Sequence, residues 1–341
     1  MKLLICAQVM DRNDPGLGFI HRWVEEFAKE YERVTVICLR EGEHSLPANV
    51  RVLSLGKEGG KSRLKYLTRF YSYIWRERRN YDAVLVHMNQ EYVILGWKMW
   101  KLLGKRIYMW RNHYAGSFLT DIAAFFCTKV FCTSKYSYTA KYKKTILMPV
   151  GVDTLRFKEI EGITRASHSI LSLGRISPSK NLHLLVSALG LLHEQGVQFE
   201  ANVYGDALPQ DAAYLEGLRA DVAQLGLSDA VHFHAGIPNT DTPSVYSAAE
   251  IFVNVSPQGM FDKTILESAA CGCLTLTANK DAAHYLPQEL ILSETSPEAL
   301  AAALVALLNG SVDTATLYEK ERELVSHHTL AALAQRLKEE I

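Results

Sequence analysis

Short apolar runs that alternate with helical stretches are the feature that most constrains the fold of this chain. KLLICAQ, VTVICLR, VRVLSLG, DAVLVHM, RIYMW and KVFCTS are rich in β-branched residues, and stretches such as LKYLTRFYSYIWRERR separate several of them. Apolar strands separated by helices indicate a parallel sheet whose two faces are both covered. The first half of the chain is therefore predicted to be an open α/β sheet.

The same pattern starts again after the polar stretch KEIEGITRASHS. SILSLG, FEANVYG, VHFHAG, IFVNVS and LTLTA are predicted strands, with helices such as NLHLLVSALGLLHEQG between them. A chain of 341 residues is long enough for two domains of ordinary size. We predict Rossmann-like domains at 1–152 and 153–322, followed by a helical segment, 323–341, that could pack back on the first domain.

The two halves of the chain differ in charge although the whole is neutral. Residues 1–150 contain 25 Lys and Arg against 13 Asp and Glu, whereas residues 151–341 contain 12 against 24. This division indicates different binding partners for the two halves. No apolar run approaches the roughly 20 residues that span a bilayer, and we do not expect the start of the sequence to be a signal peptide. The six cysteines lack the paired spacing of zinc sites and fit a reducing compartment. We expect a cytoplasmic protein.

The stretch GMFDKTILESAACG lies between two predicted strands, IFVNVS and LTLTA. Open parallel sheets bind ligands beyond the carboxyl ends of their strands, so the helix predicted here starts at a favourable place for an anion. Asp262 can cap this helix, while Lys263 and Thr264 add a cation and a hydroxyl. Glu267 stands one turn further along the same face. An ordinary capped helix with a Lys–Glu pair is the alternative interpretation.

Two further loops carry candidate residues. In LGRISPSKN, Arg175 and Lys180 would suit a diphosphate, although two solvated surface cations are the plainer interpretation. In MDRNDPGLGFIHRW, Gly16 and Gly18 permit a close approach between backbone and ligand. His21 stands where a dinucleotide fingerprint needs its third glycine, so nicotinamide binding is not favoured.

In this order and spacing, these motifs resemble those of the retaining GT-B glycosyltransferases of family 4, the glycosyl transferases group 1. The resemblance is carried by the glycine loop, PVGVDTLRF, the GR-x4-K loop, YGDAL and LESAACG, and it covers nearly the whole chain. It implies an α/β fold of the GT-B class, with two Rossmann-like open parallel-sheet domains facing across a cleft. The first domain would bind the acceptor and the second the nucleotide sugar.

The resemblance also implies roles for individual residues. The catalytic candidates are Arg175, Lys180 and His113, of which His113 would lie beneath the donor sugar. The donor-binding candidates are Glu267 at the ribose, Lys263, Thr264, Asp262, Gly259, Phe261 and Gly205. The candidates on the acceptor side are Gly16, Gly18, Asp14, His21 and His87. The family commonly has a glutamate where this chain has Gly259, so recognition of the sugar would come from elsewhere.

The implied reaction is transfer of a hexose-type sugar, with retention, from a UDP- or GDP-linked donor to a glycan or lipid-linked acceptor. No metal ion and no cofactor are expected, because cations of the chain would meet the charge that develops on the leaving diphosphate. Basic and aromatic residues interleave in the segment 61–79, which suits an anionic membrane surface. A core-facing aromatic stripe is the alternative there, and nucleic acid is not an expected partner.

Two other functions stay open from the sequence. The absent glutamate at Gly259 would fit a nucleotide-sugar-binding module without transfer activity. An inverting GT-B transferase or epimerase would need a general base, for which Asp14 and His21 are the candidates.

Overall fold

The computed structural model describes residues 1–14, 16–60, 62–257 and 261–341, and the chain forms two compact units. Unit 1 contains Met1–Gly151 and Thr329–Ile341, and unit 2 contains Val152–His328. The first junction lies beside the boundary predicted at 152. The second junction follows His328 rather than residue 322, because a helix of unit 2 continues through that position to His327.

Unit 1 is built on a seven-stranded parallel sheet with the strand order β3-β2-β1-β4-β5-β6-β7. Its strands are β1 (Lys2–Met10), β2 (Arg33–Glu41), β3 (Val50–Ser54), β4 (Ala83–His87), β5 (Arg106–Trp110), β6 (Lys129–Cys132) and β7 (Thr145–Leu147). Its helices are α1 (Phe19–Glu30), α2 (Arg63–Arg76), α3 (Gln90–Leu102), α4 (Phe118–Phe126) and, from the end of the chain, α11 (Leu330–Glu340). The parallel sheet predicted for the first half is confirmed.

Helices cover both faces of this sheet, as the apolar strands require. Successive side chains of β1 alternate between the faces, so Leu3 and Ile5 pack in one cluster and Leu4 and Cys6 in the other. The first cluster is shared with α1 and α11, and Leu333 and Leu337 of α11 are completely buried in it. The second cluster lies beneath α2, α3 and α4. The last helix of the chain is thus part of the core of unit 1.

Unit 2 is built on a five-stranded parallel sheet with the order β10-β9-β8-β11-β12. The strands are β8 (Ser169–Leu173), β9 (Glu200–Tyr204), β10 (Val231–His234), β11 (Ile251–Asn254) and β12 (Leu274–Thr277). The helices are α5 (Leu182–Glu194), α6 (Ala212–Gln224), α7 (Thr242–Ala248), α8 (Lys263–Ala270), α9 (Pro297–Leu308) and α10 (Thr314–His327). The strand order reverses between β8 and β11, which is where open sheets of this type bind ligands.

The six cysteines are buried and form no disulfide. Among the described residues, no helix combines the length and the apolarity that crossing a bilayer would require.

Candidate functional site

An open cavity lies at the carboxyl edge of the unit 2 sheet, where the strand order reverses, and it contains about 300 Å³ of empty space that includes open solvent. The ends of β8, β9 and β11 and the loops that follow them form its wall. Because parallel strands end at one edge, the loop after β8 lies beside the loop after β11. Arg175 and Lys180 from the first loop therefore line the same cavity as Asn254 and Ser256 from the second.

The ammonium of Lys180 connects these two loops. Its Nζ lies 2.5 Å from Oδ2 of Asp262 and 3.1 Å from Oγ of Ser256. Burial raises the pKa of the Asp262 carboxyl, but the Lys180 ammonium and hydrogen bonds from Asn254 and the Thr264 N–H outweigh it and lower that pKa to about 2. The carboxylate is therefore ionised at neutral pH and holds the ammonium at the wall of the cavity.

Asp262 also caps helix α8, as predicted from its position. Its Oδ1 accepts a hydrogen bond from the backbone N–H of Thr264 at 3.3 Å. The side-chain amide of Asn254 donates to Oδ2 of Asp262 at 3.2 Å and to Oγ1 of Thr264 at 3.0 Å. The structure thus brings the N-terminal end of α8, Asp262, Thr264 and Lys180 together in one polar network.

Arg175 follows the end of β8 and is exposed. It makes no hydrogen bond and no ion pair within the described ranges, so its donors remain available to a ligand. Gly205 shapes the same wall from the end of β9. A Cβ atom at Gly205 would lie 1.9 Å from the carbonyl oxygen of Gly174, so a side chain there would push apart the ends of β8 and β9.

Lys263 and Glu267 lie one turn apart on α8. Burial lowers the pKa of the Lys263 ammonium, while Glu267 and Asp153 oppose this effect. Burial likewise raises the pKa of the Glu267 carboxyl, while Lys263 opposes it. The half-buried Lys263 and the buried Glu267 therefore lie at the start of the capped helix, and the roles expected of them at a donor stay predictions.

Phe261 and Gly259 are the remaining candidates for donor binding. Phe261 is buried, and its ring contacts the edge of the His328 ring at a centroid distance of 5.0 Å. Phe261 thus anchors the start of α8 rather than lining the cavity. Gly259 lies outside the described residues.

The acceptor-side candidates of unit 1 surround the loop between β1 and α1. A Cβ atom at Gly18 would lie 2.7 Å from the carbonyl oxygen of Asp14, so this position requires glycine. The side chain of Asp14 accepts hydrogen bonds from the backbone N–H groups of Gly16 and Leu17 and lies 2.5 Å from the guanidinium of Arg40. Asp14 therefore holds the loop in shape.

His21 and His87 are both buried in unit 1. Nε2 of His21 accepts the backbone N–H of Ser45 at 3.1 Å, and burial lowers the pKa of His21. His21 is thus a neutral ring with its Nδ1 facing Glu25 at 3.5 Å. His87, at the end of β4, lies edge-on to the rings of Phe19 and Trp23.

His113 lies after β5 and is partly exposed. Its Nδ1 accepts the backbone N–H of Ala115 at 2.9 Å, and its ring stacks on Tyr114 at 4.5 Å. In the neutral ring, the proton then resides on Nε2, which makes that atom a potential donor.

Most aromatic residues of the segment 61–79 are turned toward the interior of unit 1. Phe70 is buried, and the hydroxyls of Tyr66, Tyr71 and Tyr73 donate to backbone carbonyl groups. Trp75 is half exposed with the guanidinium of Arg78 above its ring. The geometry favours the core-facing interpretation for most aromatic residues of this segment. Lys61 lies outside the described residues.

Asn254 and Ser256 are site residues that sequence reasoning missed. Both end the run IFVNVS, so their place at a strand end was a usable signal. Their contact with Lys180 and Asp262 depends on β11 pairing with β8, and the sequence does not state which strands are neighbours. Among the described residues, no group of three His, Cys, Asp or Glu side chains is arranged to hold a metal ion.

Comparison with known proteins finds a glycosyltransferase family model for each unit. The family model described as Glycosyl transferase 4-like matches residues 13–110, and the model described as Glycosyl transferases group 1 matches residues 167–310. The mannosylfructose-phosphate synthase of Agrobacterium fabrum (strain C58) is 30% identical over 151 residues, which are 41% of this chain and 33% of that protein. The alpha-monoglucosyldiacylglycerol synthase of Streptococcus pneumoniae is 27% identical over 46% of this chain and 37% of its own length. The matched segments thus span about a third of these curated relatives.

Solved structures match over the whole chain. HepE of Anabaena in complex with UDP gives a TM-score of 0.79 at 19% identity and covers 99% of both chains. The lipopolysaccharide glycosyltransferase WaaG gives a TM-score of 0.69 at 17% identity, covering 99% of this chain and 98% of its own. At these identities the likeness shows the fold. The chain thus contains a glycosyl transferase 4-like segment in unit 1 and a glycosyl transferases group 1 segment in unit 2, and it has the GT-B fold.

Proposed function

We propose that this protein transfers a hexose-type sugar from a nucleoside diphosphate sugar to a glycan or lipid-linked acceptor. The observation that carries the proposal is the meeting of Arg175 and Lys180 at one cavity of unit 2, where Lys180 is paired with Asp262 at the start of α8. Two cations at one strand edge suit a diphosphate. The family-model matches and the UDP or UDP-glucose bound in the HepE structures support a nucleotide-sugar donor.

The chemistry follows from where charge develops. As the bond from the sugar to the diphosphate breaks, negative charge grows on the leaving oxygen, and Arg175 and Lys180 would stabilise that charge. Asp262 keeps the Lys180 ammonium at the cavity wall before the donor arrives. Because these cations can supply the stabilising charge, we propose that transfer requires no metal ion and no cofactor.

Glu267 is proposed to bind the ribose hydroxyls, as a carboxylate can accept two hydrogen bonds from neighbouring hydroxyl groups. Burial raises the pKa of the Glu267 carboxyl to about 7, and Lys263 opposes this shift by favouring the ionised form. The acceptor is proposed to meet unit 1, where Gly16 and Gly18 lie in the loop after β1.

Retention at the anomeric carbon is proposed from the resemblance to the retaining transferases, and it is supported by the contacts of the two candidate bases for inversion. Asp14 accepts two backbone N–H groups and pairs with Arg40, and Nε2 of His21 accepts the Ser45 N–H. Neither group is free to remove a proton from an acceptor hydroxyl.

The first experiment measures thermal shifts of the full chain with UDP, GDP, ADP and their glucose conjugates. A bound nucleotide raises the apparent stability by about 2.7 kcal/mol at a hundredfold excess over its Kd. We expect one nucleotide to stabilise wild type and to stabilise the Arg175→Ala variant less. Equal shifts in wild type and Arg175→Ala would contradict the assigned diphosphate site.

The second experiment incubates the stabilising sugar nucleotide with acceptors in the presence and absence of EDTA. We expect an α-linked product from an α-linked donor, and we expect the same transfer rate with and without EDTA. Proton NMR of the anomeric signal gives the configuration of the product. A β-linked product would establish inversion. Binding without release of nucleotide would favour the binding module.

A further inference from the structure

The outer surface of α4 carries large apolar side chains that the core of unit 1 does not use. Phe118 and Phe125 lie two turns apart on one side of the helix, and each is 75% exposed. Ala123 and Ala124, on the other side, are buried in the core. At the C-terminal end of neighbouring α3, Leu102 is 88% exposed. We call Phe118, Leu119, Phe125 and Leu102 the α3–α4 apolar face.

The ends of α3 and α4 lie side by side, so this face is continuous with aromatic and basic groups. The ring of Trp97 in α3 stacks on the ring of Phe126 in α4 at a centroid distance of 3.8 Å. The ammonium of Lys98 lies 5.6 Å from the Trp97 ring, and that of Lys101 lies 5.8 Å from the Phe126 ring. Both lysines are exposed. Cations therefore border the exposed apolar side chains.

A third lysine lies at the end of α4. Nζ of Lys144 donates hydrogen bonds to the carbonyl oxygens of Phe125 and Cys127 at 3.1 and 2.7 Å. This ammonium caps the negative end of the helix dipole and lies next to the exposed Phe125 side chain.

Acidic residues are few near this face. Between residues 90 and 152 the chain has ten Lys and Arg and two acidic residues, Glu91, which is exposed in the first turn of α3, and Asp121. The Asp121 carboxylate is neutralised, because it lies 2.8 Å from the ammonium of Lys141 and accepts hydrogen bonds from the hydroxyls of Tyr138 and Tyr142. The face thus combines apolar side chains with an excess of positive charge, which is the combination that holds an amphipathic helix on anionic lipid.

We propose that the α3–α4 apolar face rests on a membrane surface that contains anionic lipid. Phe118 and Phe125 would enter the boundary between head groups and acyl chains, and Lys98, Lys101 and Lys144 would lie at the level of the lipid phosphates. Charge complementarity selects this partner over a second copy of the chain, because two copies would oppose the same positive faces. The inference does not depend on sugar transfer, and it places the membrane contact on α3 and α4 rather than on segment 61–79.

The test is co-sedimentation of the full chain with vesicles of phosphatidylcholine alone or mixed with phosphatidylglycerol. Wild type is expected to bind the mixed vesicles and to lose binding as salt concentration rises. Removing an exposed Phe by Phe118→Ser or Phe125→Ser should weaken partitioning about tenfold each, given the area that a Phe side chain buries. Because both side chains are exposed, the Tm in the absence of vesicles should not change.

Matched variants locate the contact. Leu64→Ser with Trp75→Ser removes two exposed apolar side chains of α2 and should leave vesicle binding unchanged. Lys98→Glu with Lys101→Glu should abolish the preference for anionic vesicles. Wild-type binding by Phe118→Ser/Phe125→Ser, or equal binding to both kinds of vesicle, would overturn the proposal. A wild-type dimer in light scattering that this double variant makes monomeric would overturn it too, since a second copy would then cover the face.

Discussion

Units 1 and 2 repeat one strand order and differ at the point where that order reverses. The order β3-β2-β1-β4-β5 in unit 1 matches β10-β9-β8-β11-β12 in unit 2. In unit 2 the carboxyl edge beside β8 and β11 opens into a cavity with two cations. In unit 1 the corresponding edge beside β1 and β4 is packed with the rings of Phe19, Trp23, His87 and Trp110.

The net charge of a unit does not follow the charge at its sheet edge. Unit 1 contains 27 Lys and Arg against 15 Asp and Glu, and unit 2 contains 10 against 22. The acidic unit nevertheless places two of its few cations at the cavity. The comparison teaches that strand order determines where a ligand can bind, whereas local side chains determine which ligand it is and net charge does not.

The strongest test of this contrast removes the cations of the unit 2 cavity. Arg175→Ala and Lys180→Ala should each lower the transfer rate about 10²–10³-fold, because each deletes a preorganised donor to developing negative charge. Arg219→Ala, an exposed residue of α6, is the matched control and should transfer at the wild-type rate. Near-normal turnover by both cavity variants would remove the proposed distinction between the units.

The second test separates the two cores. Leu333→Ala in α11 should destabilise unit 1 by about 2–5 kcal/mol, because Leu333 is completely buried there. Hydrogen exchange should show lost protection in β1 and α1 with unchanged protection in β8 and β11. Gln335→Ala, on the exposed side of α11, should change neither. Equal loss in both units would mean that they unfold as one.

The third test asks whether the Asp262 charge, rather than its capping role, organises the cavity. Asp262→Asn keeps a capping side chain but loses the charged partner of Lys180, so transfer should fall about 10–100-fold for a charged hydrogen bond of about 1.5–3 kcal/mol. The Tm at neutral pH should fall as well, because a carboxylate whose pKa is lowered to about 2 in the folded state stabilises that state. Asp313→Asn alters the cap of α10 in the same way and should leave transfer unchanged. Unaltered transfer by Asp262→Asn would assign Asp262 a capping role alone.

The smallest effect concerns a buried carboxyl in unit 2. Burial raises the pKa of Glu321 to about 8, although its carboxylate accepts the backbone N–H of Thr275 at 2.6 Å. The folded state thus binds this proton more tightly than the unfolded state, so stability falls as pH rises from about 4.5 toward 8. Glu321→Gln removes the titrating carboxyl, so it should raise the Tm at about pH 9 and change it little at about pH 5. Each kcal/mol of added stability should raise the Tm by about 2–4 °C.

Glu319→Gln, an exposed neighbour on α10, is the control for that measurement and should show no such difference. A Glu321→Gln gain that is the same at both pH values would contradict the raised pKa.

The sheets of both units could be predicted because apolar strands and amphipathic helices leave a strong periodic pattern. Cations after β8 and a capped helix after β11 could be predicted as well, since residue types at strand ends are legible in the sequence. The pairing of Lys180 with Asp262 could not, because it requires β8 and β11 to be neighbours across a long separation in sequence. The exposure of Phe118 and Phe125 is likewise decided by packing rather than by composition.

The position of α11 has a consequence for synthesis of the chain. Leu333 and Leu337 complete the core of unit 1, and the Tyr108 hydroxyl donates to the backbone carbonyl of Ile341. The ribosome makes these residues only after every residue of unit 2. Unit 1, most of which is synthesised first, therefore cannot complete its core until α11 has been made. Unit 2 has its whole sequence before that point and can finish folding earlier.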